Sequence, residues 1–561
     1  MGVSPGLRVE VEAWMAQDPD EVTRGELSEL LSAESTEAEL ELKDAFRAPL
    51  EFGTAGLRGK LGGGPNRMNR VVVIQAAAGL AEYLTNQGLV GQSVVIGYDG
   101  RFNSEVFAQD TAQVLAAAGF APMIFDHVVP TPVLAFAIRD LGTCAGVMVT
   151  ASHNPPQDNG YKVYLGDGRQ IVPPADKEIS DCIRKVTDVR QVSMKDASTI
   201  VAADVEERYI ASLANVIHAG PTTAQQRGDI VSVYTAMHGV GWNSVHEACV
   251  SSDFKEPNAV PEQRDPDPRF PTVAFPNPEE KGALDLSIAM ANQTHADILI
   301  ANDPDADRLA VALPLANGEW KTLHGDQVGS LLAWWVIERA RRTNTKLVGT
   351  FANSIVSSML MEQIAKSAGL KYENTLTGFK WVSRVPNLIY GYEEALGYCV
   401  NPEFVGDKDG VSAATFILEM AAALKDEGRT LWSVLDELAL QFGLHASDQV
   451  SVKVNDLSQV ANVMNGLRTN PPQEFGDMNV AQVFDLAKSE TGLPPTDGVI
   501  FMLQGNDEVT KARVIVRPSG TEPKIKCYLE VVCPNEDLTL AGASARKALD
   551  ALAADAKPLL S

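Results

Sequence analysis

Three short stretches of this chain combine residue types that can do chemistry: a loop serine, a trio of carboxylates and a cluster of cationic and hydroxyl groups. The first is Thr150-Ala151-Ser152-His153-Asn154-Pro155. It follows the apolar run Ala145–Val149, which reads as a buried strand. Asn154-Pro155-Pro156 then forces a turn, because proline disfavours helix for the residue before it. Ser152 therefore stands on a tight loop at a strand end, where open α/β sheets bind ligands. A serine beside a histidine on an exposed loop can be a nucleophile. The same residues also suit a plain turn in which Ser152 and Asn154 bond their own backbone; the other stretches turn the balance toward chemistry.

The second stretch is Asp303-Pro304-Asp305-Ala306-Asp307-Arg308, between the strand-like runs 296–302 and 309–313. Three carboxylates at alternate positions of a turn can converge on one point. Their repulsion calls for a cation, and hard oxygen ligands favour Mg2+ or Ca2+. An EF-hand is excluded, because Arg308 replaces its sixth-position glycine and Pro314 its twelfth-position glutamate. A solvated acidic turn seldom lies between two strands this apolar. Three protein ligands leave Mg2+ room for a phosphate oxygen, and Arg308 adds a positive fork beside it.

The third is Arg517-Pro518-Ser519-Gly520-Thr521-Glu522-Pro523-Lys524, between predicted strands 511–516 and 525–532. A guanidinium, two hydroxyls and a glycine-opened backbone make a nest for a phosphate dianion. An ordinary hairpin turn is the bland alternative, but the density of phosphate-binding types in eight residues favours the site. Weaker signals surround these three. Thr375-Leu376-Thr377-Gly378-Phe379-Lys380 and Gly391-Tyr392-Glu393-Glu394-Ala395-Leu396-Gly397 offer carboxylates that can accept from sugar hydroxyls, or a solvated turn. Asp407-Lys408-Asp409-Gly410 is turn-like and equally open to both readings. Phe52-Gly53-Thr54-Ala55-Gly56-Leu57-Arg58-Gly59-Lys60 holds the basic group of Arg58 in a glycine-rich frame that permits close backbone approach. Together these give a reactive serine, a metal loop, a hydroxyl-reading loop and a separate phosphate clamp. Two phosphate sites imply a substrate with a phosphate at each end at some stage.

The elements that must position these groups alternate. Residues 7–48 carry helical periodicity and read as a helical lead-in. Residues 94–98, a helix from 104 to about 118 and residues 123–125 form a βαβ unit. Lys162 follows the serine loop on the next strand, within reach of it. Strand-then-helix units recur at 230–234 and at 346–349. Each runs into a small-residue loop and a helix whose N-terminal amides can meet an anion. The proline-rich stretch 255–278 reads as an extended loop within the second domain. From about 445 the pattern changes to strands at 448–453, 499–503, 511–516 and 525–532 and a helix near 538–554, an α+β end domain. The expected domains are 1–205, 206–318, 319–440 and 441–561.

At ~150 residues per domain, 561 residues suit three or four domains. A net charge of −26 argues against nucleic acid or an anionic membrane as partner. It also makes local clusters of Arg and Lys informative. No apolar run is long enough to span a bilayer. The six cysteines lie far apart, with no Cys-x-x-Cys pair. That excludes a zinc site and suggests reduced thiols. With no basic-then-apolar signal pattern at the start, a cytoplasmic location is expected. Nothing in the composition speaks to oligomeric state.

On Thr-Ala-Ser-His-Asn-Pro, Asp-Pro-Asp-Ala-Asp-Arg and Arg-Pro-Ser-Gly-Thr-Glu-Pro-Lys, in that order, the chain resembles the α-D-phosphohexomutase superfamily. The glycine-rich Arg58 loop also fits. The details at 378–380, 391–397 and 407–410 resemble its longer-chain branch of phosphoglucomutases/phosphomannomutases, phosphopentomutase and glucose-1,6-bisphosphate synthase. The resemblance implies four domains around a central cleft, three similar α/β domains with mixed sheets and a fourth α+β domain. It implies that Ser152 is a phosphoserine whose phosphate passes to a phosphorylated sugar. The bisphosphate so formed, glucose 1,6-bisphosphate for glucose, flips, and its other phosphate returns to Ser152. Asp303, Asp305, Asp307 and a phosphate oxygen on Ser152 would hold Mg2+. Arg517, Ser519, Gly520, Thr521 and Lys524 would grip the non-reacting phosphate, while Arg308, Thr377, Gly378, Lys380, Glu393 and Glu394 would contact the rest of the substrate. His153 and Arg308 would help neutralise the transferring group, and Lys162 or Arg58 would do acid–base work on the sugar hydroxyl.

One departure stands out. Phosphoglucomutases and phosphomannomutases usually carry serine two residues after the hydroxyl-reading glutamate, and this chain has Ala395 there. Glucose remains the expected sugar, with mannose and pentoses as alternatives. Three other readings compete. A related transferase that makes glucose 1,6-bisphosphate from a second phosphate donor would use the same loops. A haloacid-dehalogenase-type phosphatase would want threonine or valine where Asp307 stands and leaves the serine loop unexplained. A sugar-phosphate sensor without catalysis would not need both Ser152 and three aspartates.

Overall fold

The structure, a computed structural model, describes residues 3–33, 35–53, 56–453, 457–488, 490–519 and 524–560. The lead-in is three helices, Pro5–Gln17, Glu21–Ser32 and Thr36–Ala45. Ser4, Asp20 and Ser35 cap them, each side chain accepting an early backbone N–H that the helix cannot satisfy itself. Val11, Leu27 and Leu42 bury into the same core as the helix Arg70–Asn86.

The chain forms two units, Met1–Leu323 with Gly397–Ala422, and His324–Leu396 with Ala423–Ser561. The first unit holds two sheets. One orders its strands as Leu57–Lys60, Asp158–Leu165, Ala145–Val149, Ser93–Tyr98, Ala121–Ile124 and Thr199–Ile200. Ala145–Val149 runs parallel to Ser93–Tyr98 and antiparallel to Asp158–Leu165. Every residue of Ala145–Val149 is buried. That explains its unbroken apolar run, because a strand with both faces covered has no polar positions to alternate with. The other sheet orders Trp320–Thr322, Ala310–Pro314, Ile298–Ala301, Ser232–Thr235 and Asn258–Ala259. Here too a buried strand, Ile298–Ala301, has a parallel neighbour on one side and an antiparallel return strand on the other. The serine loop and the aspartate loop thus leave their sheets at corresponding places.

In the second unit Lys371–Thr375 and Leu388–Glu393 flank Thr350–Ser354, both parallel to it. The expected strand at 346–349 starts four residues too early; the strand is Thr350–Ser354. Val348 is 69% exposed, whereas Phe351 and Ala352 are fully buried. The small residues of Thr350–Ser354 read as a loop but fit a central strand closely lined on both sides. The C-terminal sheet is antiparallel, in the order Leu444–Lys453, Lys524–Cys533, Lys511–Pro518, Val499–Gln504, Met478–Asp485 and Glu474–Phe475. The helix Leu538–Leu559 covers it, with Leu549 and Leu552 in a core beside Val514, Leu529 and Val531. The architecture is α/β domains followed by an α+β domain. All six cysteines are free and buried. Among the described residues no helix is long and apolar enough to cross a membrane.

Candidate active site

Strands Ser93–Tyr98 and Ala145–Val149 end together, Tyr98 opposite Val149. The loops that follow them therefore meet at one sheet edge. Asp99 Oδ1 accepts from the Arg101 backbone N–H at 3.0 Å and from Ser104 Oγ at 2.7 Å. That fixes Arg101 under the serine loop. One guanidinium nitrogen donates to the carbonyls of Ser152 and Asn154, both at 2.6 Å, and the other to those of Pro155 and Asp158 at 2.8 and 3.0 Å. Four loop carbonyls, that of Ser152 buried and the others partly so, are satisfied by one fork, which holds the loop in place. Ser152 takes φ +53°, a left-handed conformation that costs a serine about 1–3 kcal/mol. Its backbone N–H donates to Thr150 Oγ1 at 2.9 Å. The hydroxyl so aimed donates to Asp303 Oδ2 at 2.7 Å and lies 3.2 Å from His153 Nδ1.

Asp303, Asp305 and Asp307 are essentially fully buried. Each can offer an oxygen within 4.8 Å of the others'. Asp305 Oδ2 accepts from Thr131 Oγ1 at 2.6 Å and from Lys162 Nζ at 2.7 Å. Asp307 Oδ2 accepts from Lys162 Nζ at 2.9 Å and faces Lys408 Nζ at 3.2 Å. Asp305 Oδ1 and Asp307 Oδ1 accept no hydrogen bond among the described residues. Orphaned carboxylate oxygens at this depth are costly. A small hard cation satisfies them, so the donor set fits Mg2+. Burial and the other two carboxylates push the Asp303 carboxyl well above the usual range. Burial acts the same way on Asp305 and Asp307, but Lys162 outweighs it at Asp305, and Lys162 with Lys408 at Asp307, holding both low.

Lys162 stands opposite Met148 in the antiparallel pair beside the serine loop. Burial opposes its charge, but Asp305 and Asp307 raise its amine above the ordinary value. The amine is thus a charged counter-ion to both carboxylates. His153 stands beside the serine hydroxyl. Burial, Arg308 and Arg58 press its pKa far down, so the imidazole is neutral and offers a hydrogen bond rather than a charge. Arg58 lies on the strand Leu57–Lys60, opposite Gly160, and not in a flexible loop. Gly56 leads into it at φ +75°, where a Cβ would lie 1.8 Å from the Tyr161 carbonyl oxygen, so no other residue fits. Arg58 Nε is buried without a hydrogen-bond partner among the described residues. Thr54 and Ala55 of the glycine-rich stretch fall outside those residues. Arg308 Nε lies 3.8 Å from Asp303 Oδ2. His238 serves its own domain, its Nε2 2.8 Å from Thr272 Oγ1.

Arg101, Thr131 and Lys408 were not singled out from sequence. Lys408 is held by its neighbours in the stretch 407–410. Asp407 accepts from Tyr164 OH at 2.9 Å and Gln170 Nε2 at 2.7 Å, and Asp409 from Tyr209 OH at 2.8 Å.

The second unit carries the remaining candidates. Glu393 ends the strand Leu388–Glu393, and its Oε1 accepts the Gly378 N–H at 2.6 Å. That joins the stretch of Thr377, Gly378 and Lys380 to the glutamate loop. Glu394 Oε2 accepts from Ser354 Oγ at 3.0 Å and Ser357 Oγ at 2.9 Å. Arg517 and Lys524 lie on paired strands, and the Ser519 N–H donates to the Lys524 carbonyl at 2.8 Å. Gly520 and Thr521 lie outside the described residues.

Four segments in succession match models of this architecture. They are Phosphoglucomutase/phosphomannomutase alpha/beta/alpha domain I over residues 49–190, domain II over 207–315, domain III over 324–442, and the C-terminal domain over 498–541. The chain belongs to the phosphoglucomutase/phosphomannomutase family, whose members are phosphomutases, isomerase-class phosphotransferases of carbohydrate metabolism. A probable phosphomannomutase of Haemophilus influenzae is 47% identical over 468 residues, 82% of this chain and 93% of that one. The phosphopentomutase of Mus musculus is 36% identical, over 95% of this chain and 92% of that one. The crystal structure of pp63/parafusin, a phosphoglucomutase from Paramecium, in its open form, superposes with a TM-score of 0.68 at 18% identity, covering 91% of this chain and 95% of that one.

Proposed function

We propose that this phosphomutase interconverts a hexose 1-phosphate and the hexose 6-phosphate, with glucose as the sugar, through a phosphorylated Ser152. The observation that carries this reading is the Ser152 hydroxyl 2.7 Å from Asp303 in a buried, strained loop. A serine held this way is positioned to pass a group along one direction, which is most of what phosphoryl transfer asks of a protein. The bond from phosphorus to the Ser152 oxygen breaks as a sugar hydroxyl oxygen bonds to phosphorus, and the proton of that hydroxyl, handled by Lys162 or Arg58, ends on the freed Ser152 oxygen. The resulting bisphosphate reorients, and its other phosphate returns to the serine.

Asp303, Asp305 and Asp307, with a phosphate oxygen on Ser152, are the proposed Mg2+ ligands. Bound there, the ion supplies charge neutralisation on the transferring oxygens. Arg58, whose buried Nε has no hydrogen-bond partner among the described residues, binds the same oxygens, and Arg308 adds a second positive group. Neutral His153 holds a hydrogen bond to the serine oxygen. Arg517, Ser519, Gly520, Thr521 and Lys524 take the phosphate that does not react. Thr377, Gly378, Lys380, Glu393 and Glu394 contact the sugar.

A second reading, a pentose phosphate substrate, has support from Ala395 and from the mouse phosphopentomutase. Loss of one hydroxyl from the sugar loop removes a contact that a longer sugar would use. Intact-mass measurement tests the shared step: the protein incubated with glucose 1,6-bisphosphate should gain one phosphate, and Ser152→Ala should not. Coupled assays over glucose, mannose, ribose and deoxyribose 1-phosphates then decide the sugar. Turnover of ribose 1-phosphate well above glucose 1-phosphate would overturn the first reading in favour of the second.

A further inference from the structure

In the second unit, one face of a β-hairpin is bonded to the loop that holds the sugar-site glutamate. Strands Lys511–Pro518 and Lys524–Cys533 pair with Arg513 opposite Glu530, Ile515 opposite Tyr528 and Arg517 opposite Lys526. Residues two apart share a face. Along that face Ile515 and Tyr528 pack on Ile355 and Val356. Arg513 reaches further. It binds Glu530 Oε2 at 2.8 Å through Nε, donates to the Ile355 carbonyl at 3.0 Å, and donates to the Ser357 carbonyl. Glu530 Oε1 accepts from Ser358 Oγ at 2.6 Å and from the Met359 N–H at 2.9 Å.

The turn gripped in this way is the one that grips Glu394. Ser354 Oγ and Ser357 Oγ both donate to Glu394 Oε2, and Ser357 Oγ accepts the Glu394 N–H at 3.0 Å. Asp326 closes the frame from a third side, accepting the Ser358 N–H at 2.7 Å and Tyr392 OH at 3.0 Å. Arg513 and Glu530 are 6% and 3% exposed. A buried ion pair costs several kcal/mol of desolvation and often stabilises a fold no better than apolar residues of the same volume. What it provides that apolar residues cannot is direction: a fork of donors and a pair of acceptors that fix named backbone groups.

We propose that Arg513 and Glu530 are positioning residues for sugar selection. They set the serine turn 354–358, the turn sets the Glu394 carboxylate, and the choice among sugars is therefore made partly from the C-terminal domain. The inference rests on the mutase reading and on Glu394 as a sugar contact.

The test compares Glu530→Gln and Ser357→Ala with the unaltered enzyme, each loaded with Mg2+ and primed with glucose 1,6-bisphosphate. The readout is the ratio of kcat/KM for glucose 1-phosphate to that for ribose 1-phosphate, which does not depend on the folded fraction. Both variants should shift this ratio by about five- to tenfold, with KM changing more than kcat, the scale of one lost or misaimed hydrogen bond. The double variant should shift it no further than the larger single effect, because both act through one carboxylate. If Glu530→Gln does not fold, Ser358→Ala breaks the same link and is expected to give the same shift. An unchanged ratio in a folded variant at 530 or 358 overturns the inference and leaves the mutase reading standing. Turnover of neither sugar phosphate by the unaltered enzyme overturns both.

Discussion

Ser152 Oγ and Asp303 Oδ2 lie 2.7 Å apart although 151 positions of chain separate the two residues. Each stands on the first loop after a buried strand that has a parallel neighbour on one side and an antiparallel return strand on the other. The serine hydroxyl of one sheet and the carboxylates of the next are thus products of the same local architecture, turned toward each other.

The Ser152→Ala variant should lose turnover by on the order of a thousandfold or more, since no second hydroxyl can accept the phosphate. Mg2+ binding should survive, because the three aspartates are untouched. The checks are a coupled assay and a thermal-shift titration with Mg2+. Retained turnover at a tenth of the normal rate or better would show that the phosphoryl group does not pass through this serine.

Asp303→Asn separates the metal from the fold. The Asp303 carboxyl is raised by burial and by Asp305 and Asp307. A carboxyl whose folded pKa lies above its unfolded value costs stability as pH rises past the unfolded value. A neutral amide, still able to accept from Ser152, should leave the metal-free protein no less stable at pH 7. The rise in Tm on adding Mg2+ should shrink or vanish. An undiminished Mg2+ response would sink the metal assignment.

Arg101→Met removes the fork that satisfies four loop carbonyls. The expected loss is about 3 kcal/mol or more, from buried acceptors left unpaired and an unbalanced Asp99. Turnover should fall further than the folded fraction does, because Ser152 is no longer held at its strained angle. Denaturation monitored beside specific activity distinguishes the two effects.

The site was legible where chemistry is local in sequence. Ser152 and the three aspartates, which the structure brings together, stand out in the sequence because an apolar strand runs into a short polar loop, and such loops open at sheet edges. Arg101 and Thr131 escaped notice because their roles come from other strands and loops: Arg101 reaches a loop 51 positions away, and Thr131 an aspartate 174 positions away. Lys408 sits in a turn-like tetrapeptide that gains meaning only from Tyr164, Gln170 and Tyr209, which pin its flanking aspartates. The strand Thr350–Ser354 was placed four residues early for a related reason. Small polar residues suit a loop by local rules, and only two parallel neighbours make them a strand.

His127 gives a pH signature of the first unit. Glu206 at 3.1 Å is the chief cause that raises its pKa, with Asp126 at 2.7 Å adding, to about 9 against a loss from burial. A histidine raised in the folded state contributes stability that is complete below its unfolded pKa, near 6.5, and is lost as pH rises through 9. His127→Gln should therefore lower Tm at pH 6 and approach the unaltered protein by pH 9.5. Tm measured across that range checks it; a gap that widens with pH would reverse the assignment.

Lys408 Nζ faces Asp307 Oδ2 at 3.2 Å, on the oxygen that also accepts from Lys162. Two ammonium groups therefore compete with a divalent cation for one carboxylate, at a depth where charges interact strongly. Lys408→Met keeps the length and apolar body of the side chain and removes the charge. Mg2+ should then bind more tightly, by about tenfold, the equivalent of ~1.4 kcal/mol of relieved repulsion. Turnover should fall as well, since the variant removes one positive charge from the aspartate cluster where the phosphoryl group is proposed to transfer. The measurement is isothermal titration of the unphosphorylated protein with Mg2+, which needs no catalysis. Weaker Mg2+ binding in the variant would mean that Lys408 shapes the aspartate cage rather than opposing the ion within it.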